Sequence, residues 1–315
     1  MLKYKIAILD DYQDVSGSFV DWTPVSEYAD VSVFTDHLHE EDEVVERLKH
    51  FDILCVMRER TPLTAGLLMR LPKLKLIVST GARNRSIDVD ATEKLGIEVQ
   101  NTGYLGHGAF ELTWALLMAI AKQIPQENAN LRAGGWQQMV GSDLKGKTLG
   151  ILGLGNLGAQ VAAVAKAFDM DVIAWSENLT PEKANAGGAR YVDKKTLFQE
   201  SDYLTIHMVL SDRSKGIVSA DDLALMKSSA YLINTSRGPL IDEQALIRTL
   251  QESKIAGAAL DVFDQEPLAA NHPFRTLRNV LATPHIGFVT QDTYHLFFND
   301  IVEFLLSWLP RHPIR

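Results

Sequence analysis

Short runs of aliphatic and β-branched residues recur at residues 6–9, 31–34, 53–57, 74–79 and 97–100, and between them apolar residues return every three or four positions. Continuous apolar runs alternating with helical periodicity predict a parallel sheet covered by helices on its faces. A second series, residues 148–152, 171–175, 203–207, 231–234, 255–260 and 280–282, predicts six more strands in a doubly wound sheet. An apolar helix is expected over 111–122, then a glycine-containing loop at Gly134 and Gly135. Over residues 290–309, Phe297, Phe298, Ile301, Phe304, Leu305 and Trp308 fall on one helical face, the pattern of a core stripe.

With 315 residues the chain has room for two domains, each able to bury its own core. A hydrophobic fraction of 46% and a charged fraction of 23% are those of a globular protein. The formal net charge of −9 and the absence of a Lys/Arg run argue against nucleic acid as a partner. Cys55, the single cysteine, cannot form an intrachain disulfide, and its apolar surroundings at 53–57 predict a buried, inert thiol and a reducing compartment. The longest apolar run, 114–121, is far shorter than the ~20 residues of a membrane span, and no signal peptide is evident. The expectation is a cytoplasmic protein without membrane partner or bound metal.

Residues 153–158 read GLGNLG, directly after the strand KTLGIL and directly before a helix expected over 156–168. In that context the motif predicts dinucleotide binding. Gly153 permits the tight turn, Gly155 lets the backbone approach a pyrophosphate, and Gly158 lets the helix pack against the strand, while the helix start at Asn156 and Leu157 offers free N–H groups. At the end of the next strand an acidic side chain usually accepts from the ribose 2′-hydroxyl of NAD. Here Ser176, able to meet a hydroxyl or a phosphate, precedes Glu177, which stands one position beyond the usual slot and is equally readable as a solvated loop charge. No arginine lies at 176–179, against a dedicated 2′-phosphate site. NAD is expected, with NADP left open.

Three more motifs lie just past strand ends, where open α/β sheets bind ligands: INTSRG with Arg237, DVFDQEP with Glu266, and TPHIG with His285. Together they suit hydride transfer to a keto acid. A planar guanidinium clamps a carboxylate or keto oxygen through two parallel hydrogen bonds, an imidazole delivers the proton, and a carboxylate beside the ring favours its charged form and fixes its orientation.

With MRERTPL, LPKLKLIVSTGARNRSID, FELTWALL and GLGNLG added, the sequence resembles the D-isomer-specific 2-hydroxyacid dehydrogenase family over almost its whole length. The resemblance implies a Rossmann-type doubly wound domain, residues 102–284, inserted into a smaller flavodoxin-like α/β substrate domain made of 1–101 and 285–315. It implies that Arg237, Glu266 and His285 are catalytic and that the backbone of Gly81, Ala82, Arg83 and Asn84 holds the substrate carboxylate. By the same resemblance Thr113, Asn156, Leu157, His207, Thr235, Ser236, Asp261 and Gly287 contact the cofactor, Asp261 through the carboxamide. Arg83 and Asn84 would give the substrate loop a more polar and basic lining than the commoner small residues. The implied activity is transfer of hydride between NAD(P)H and a small 2-keto acid, such as glyoxylate or hydroxypyruvate, or the matching D-2-hydroxy acid. A nucleotide-sensing, corepressor-like binding module on the same fold is the alternative, and a homodimer joined through 111–122 and the arm that follows is the expected assembly.

Overall fold

The computed structural model describes residues 3–314. Its contacts divide into two units: the described residues up to Leu105 together with those from Val289 onward, and the intervening Gly106–Phe288.

The first unit is built on five parallel strands, β1 Tyr4–Ile8, β2 Ala29–Val33, β3 Ile53–Val56, β4 Leu76–Ser79 and β5 Glu98–Asn101, in the order β2-β1-β3-β4-β5. This is the flavodoxin-like order, with Ile6 opposite both Val31 and Ile53. Because side chains alternate across a strand, Ala7, Leu54, Val56 and Ile77 pack into one helical layer while their neighbours face the other side. Cys55 is one of those neighbours: it is buried, and burial pushes its thiol pKa up to about 12, so it is inert. The chain returns to this unit in the helix Gln291–Trp308, opened by Thr290, whose hydroxyl accepts from Thr293 N–H. Phe297 and Phe298 are wholly buried, each stabilising the unit by roughly 1.5–3 kcal/mol. The far end of the helix is tied down by Trp308 Nε1, which donates to Glu98 Oε2 at 2.7 Å.

The second unit holds seven parallel strands: β6 Thr148–Leu152, β7 Asp171–Trp175, β8 Arg190–Tyr191, β9 Tyr203–Ile206, β10 Tyr231–Asn234, β11 Gly257–Leu260 and β12 Val280–Ala282. Their order, β12-β11-β10-β9-β6-β7-β8, reverses direction between β6 and β9, the point where such sheets open a crevice at the carboxyl ends of their strands. Alternation again divides the core: Leu152, Leu204, Ile206 and Leu232 join one layer, and Leu149, Ile151, Tyr203 and Ile233 the other.

The sequence pattern predicts six strands here, and the seventh, β8, is an exposed edge strand of two residues with no apolar run to reveal it. The helix expected over 111–122 begins earlier, at His107, and a further helix, Ile124–Arg132, follows it. That second helix buries none of its residues, so it leaves no apolar stripe to read. The unit junctions fall after Leu105 and Phe288 rather than after 101 and 284, which places His285 in the second unit. The cause is local: Ile286 N–H and Gly287 N–H both donate to Asp261 at the end of β11, fastening the His285 loop to this sheet. Among the described residues no helix is long and apolar enough to cross a membrane.

Candidate active site

At the carboxyl edge of the second sheet the turn after β10 is organised by Asn234, which is 1% exposed. Its Nδ2 donates to Arg237 O at 2.9 Å, and its Oδ1 accepts from Ser236 N at 3.0 Å. Ser236 Oγ donates to Ile206 O at 2.7 Å, tying the turn to the end of β9. These bonds hold the half-buried Arg237 at the edge of the sheet, with Nη1 donating to Ser236 O at 2.7 Å.

Gly238 follows, and its backbone lies directly against the next loop: a Cβ there would come within 2.0 Å of Phe263 C and 2.5 Å of Asp264 N. Only glycine permits that approach. From the supported loop, Glu266 turns back so that Oε1 accepts from Phe263 N at 2.9 Å while Oε2 meets His285 Nδ1 at 2.5 Å. With one oxygen anchored, the carboxylate presents the other to the ring. Both side chains are partly open, 24% for His285 and 30% for Glu266, so the pair is shielded yet reachable. Because Nδ1 is engaged, Nε2 is the nitrogen left to exchange a proton with a substrate.

His285 has φ = +52°, a left-handed conformation unusual for a residue with a side chain. Asp261 holds it there. Oδ1 accepts from Thr283 Oγ1 at 2.6 Å and from Ile286 N at 2.8 Å, and Oδ2 from Gly287 N at 2.9 Å. Burial pushes the Asp261 carboxyl above the usual range against the opposing pull of those donors. Phe288 closes one side of the imidazole, edge to face at 5.6 Å.

The glycine turn sits at the point where strand order reverses. A Cβ on Gly153 would lie 2.6 Å from His207 O, and one on Gly158 would lie 2.4 Å from Gly153 O, whereas nothing stands within 4 Å of the Cβ position of Gly155. The turn is thus closed behind and open in front, the shape a pyrophosphate needs, with the helix Asn156–Ala167 starting directly after it. The dinucleotide fits these residues. Gly158→Ala would force Gly153 O outward, and a fluorescence titration with NADH is expected to show affinity reduced about a hundredfold.

Around this turn His207 places Nε2 2.9 Å from Thr205 Oγ1, and burial depresses its pKa to about 4, so the ring is neutral. Thr235 stands at the start of the Arg237 turn, and its hydroxyl lies 2.7 Å from Thr113 Oγ1. Thr113 itself is 0% exposed and donates to Ala109 O, so it backs Thr235 from inside the unit. Ser176 is half-buried at the end of β7, and Glu177 is exposed. The residues that motif reading missed are Asn234 and Thr283. Both stand inside quoted motifs, INTSRG and TPHIG, but Asn234 acts on backbone groups and Thr283 on the Asp261 carboxylate, not on a ligand.

The 81–84 turn belongs to the first unit, after β4. Gly81 N already donates to Thr102 Oγ1 at 2.8 Å, so it is not available to a ligand. Asn84 turns its amide inward, donating to Arg58 O at 2.5 Å and Ser79 Oγ at 3.1 Å and accepting from Ser86 N at 2.9 Å. The polar lining expected of Arg83 and Asn84 therefore reduces to the exposed Arg83. Ala82, Arg83 and Asn84 keep N–H groups that donate to no acceptor among the described residues.

Comparison with known proteins agrees with this geometry. Residues 114–287 match the NAD-binding domain of the D-isomer-specific 2-hydroxyacid dehydrogenases. The chain is 40% identical to a glyoxylate reductase of Aeropyrum pernix over 72% of its length and 71% of that protein. It is 36% identical to a hydroxypyruvate reductase of Thermotoga maritima over 87% of its length and 90% of that protein. The crystal structure of a phosphoglycerate oxidoreductase from Vibrio cholerae superimposes with a TM-score of 0.92 at 37% identity, covering 98% of this chain and 100% of that one. With the glycine turn, the guanidinium and the carboxylate-bound imidazole on one sheet edge, the chain belongs to the D-isomer-specific 2-hydroxyacid dehydrogenases, NAD(P)-dependent oxidoreductases of 2-hydroxy and 2-keto acids.

Proposed function

We propose that the protein reduces a small 2-keto acid of the glyoxylate or hydroxypyruvate type to the D-2-hydroxy acid, with Arg237, Glu266 and His285 as its catalytic residues. The observation that carries this reading is the 2.5 Å contact between His285 Nδ1 and Glu266 Oε2, which leaves Nε2 to deliver a proton. The bound nicotinamide cofactor supplies the hydride. Arg237 holds the keto oxygen and carboxylate through its forked donors and so polarises the carbonyl. As negative charge grows on the oxygen, His285 Nε2 protonates it, and Glu266 stabilises the ring while it is charged. Taken by itself, the first unit offers the N–H groups of Ala82, Arg83 and Asn84 as donors suited to a carboxylate, with Gly81 shaping the turn.

For the cofactor, Gly153, Gly155, Asn156, Leu157 and Gly158 cradle the pyrophosphate. His207, Thr235, Ser236 and Gly287 line its path, and Asp261 Oδ2, which accepts from Gly287 N, takes the carboxamide. Ser176 and Glu177 meet the adenosine ribose, in NAD or in NADP. The test is a keto-acid panel with NADH and NADPH. Consumption of reduced cofactor with glyoxylate or hydroxypyruvate is expected, and no turnover with any acid and either cofactor would overturn the reading.

The working form is a homodimer in this reading. Trp114 and Leu117 pack inside the second unit, but the segment that follows leaves Ile124, Leu131, Trp136, Met139 and Val140 exposed, Val140 by 95%. So much apolar surface on one arm supports coverage by a second copy. Light scattering is expected to give twice the 35.0 kDa chain mass. The lone thiol, unable to pair within the chain, supports a reducing, cytoplasmic setting.

A further inference from the structure

Behind the catalytic pair lies a second carboxylate and imidazole pair that the reaction does not use. Glu243 opens the helix Glu243–Gln251, after Asp242 has capped it through Ala245 N. Its side chain turns away from the helix: Oε2 accepts from Asp264 N at 3.2 Å, and Oε1 faces His272 Nε2 at 3.2 Å. Phe274 N donates to His272 Nδ1 at 3.3 Å, so the ring proton resides on Nε2 and is donated to Glu243. The pair is well covered, with side chains 15% and 16% exposed, and His272 packs on Phe274 at 4.9 Å.

The peptide joining Phe263 and Asp264 is therefore held on two sides, and its neighbour on a third. Gly238 backs it and its N–H, that of Asp264, is taken by Glu243 Oε2, while the N–H of the preceding peptide, that of Phe263, is taken by Glu266 Oε1. We propose that Glu243, oriented by His272, is a positioning residue that fixes this peptide and thereby the aim of Glu266 at His285. The Asp264 carboxyl gives the latch its electrostatic setting: burial first, then the neighbouring Glu243 and Asp242, push it above the usual carboxylate range, while Lys215 and His272 pull the other way. Removing Glu243 frees one of the two supports of this peptide, next to the N–H that anchors Glu266, without touching substrate or cofactor. Displacement of a catalytic group by a fraction of an ångström lowers turnover rather than binding.

This rests on the reading of Glu266 and His285 as the acid–base pair, and the experiment separates the two. In Glu243→Ala, kcat with the preferred keto acid is expected to fall about ten- to a hundredfold, with KM and the NADH dissociation constant unchanged. The Asp264 amide is expected to lose hydrogen-exchange protection. Glu243→Gln, which keeps an acceptor for Asp264 N–H, is expected to recover most of the loss. Wild-type protein that turns over no keto acid would overturn the acid–base reading. An active wild type whose Glu243→Ala variant keeps its kcat, or loses kcat, cofactor affinity and melting temperature together, would overturn the positioning role alone.

Discussion

Replacing His285 with Gln is expected to lower kcat by about 10²–10⁴-fold, the usual contribution of a positioned general acid, while NADH affinity stays within about threefold of the parent. The separation follows from where the imidazole stands. Its Nδ1 is bound to Glu266 and its backbone is fastened through Asp261, whereas the glycine turn lies after a different strand. Glutamine fills a similar volume and can still meet Glu266 through its amide, but it cannot give up a proton. Stopped-flow measurement of cofactor oxidation, paired with a fluorescence titration, reads both quantities. Turnover surviving within tenfold would mean that the proton comes from another group.

Arg237→Gln should be nearly as damaging, through a different term. Each charge-assisted hydrogen bond to a carboxylate or a developing oxyanion contributes about 1.5–3 kcal/mol, so losing a forked pair lowers kcat/KM by about 10²–10⁴-fold. Arg237→Lys restores the charge but not the fork and is expected to recover only a small part of the loss. The turn itself should survive either change, because Asn234 and Ser236 hold it through the backbone. Steady-state kinetics with a keto acid and with its isosteric amide distinguish the cases: an arginine that clamps the carboxylate discriminates between them, and loss of Arg237 should erase the difference.

Much of this architecture was readable from residue patterns because the decisive signals were local. An apolar run followed by GLGNLG and a helical stretch describes Thr148–Leu152, its turn and the helix Asn156–Ala167, since each glycine answers a short-range steric demand. The motifs around Arg237, Glu266 and His285 stood at strand ends for the same reason. What escaped was non-local or lacked contrast. The edge strand Arg190–Tyr191 is two exposed residues long, and the helix Ile124–Arg132 buries nothing, so neither imprints a hydrophobic period. The inward turn of Asn84 and the burial of Thr113 depend on partners as distant as Arg58 and Thr235. The contacts group His285 with the second unit because its loop is fastened by Asp261, 24 positions earlier, a connection without any sequence spacing to announce it.

The contact of Gly238 on the Phe263 peptide has an evolutionary corollary. The loops that carry Arg237 and Glu266 touch main chain to main chain, with no side chain between them to absorb a change by adopting another rotamer. A mutation that reshapes one loop is passed to the other at full amplitude. The two should therefore be inherited, and transplanted, as a single cassette, and diversification for new substrates is channelled into parts of the chain that do not share that contact.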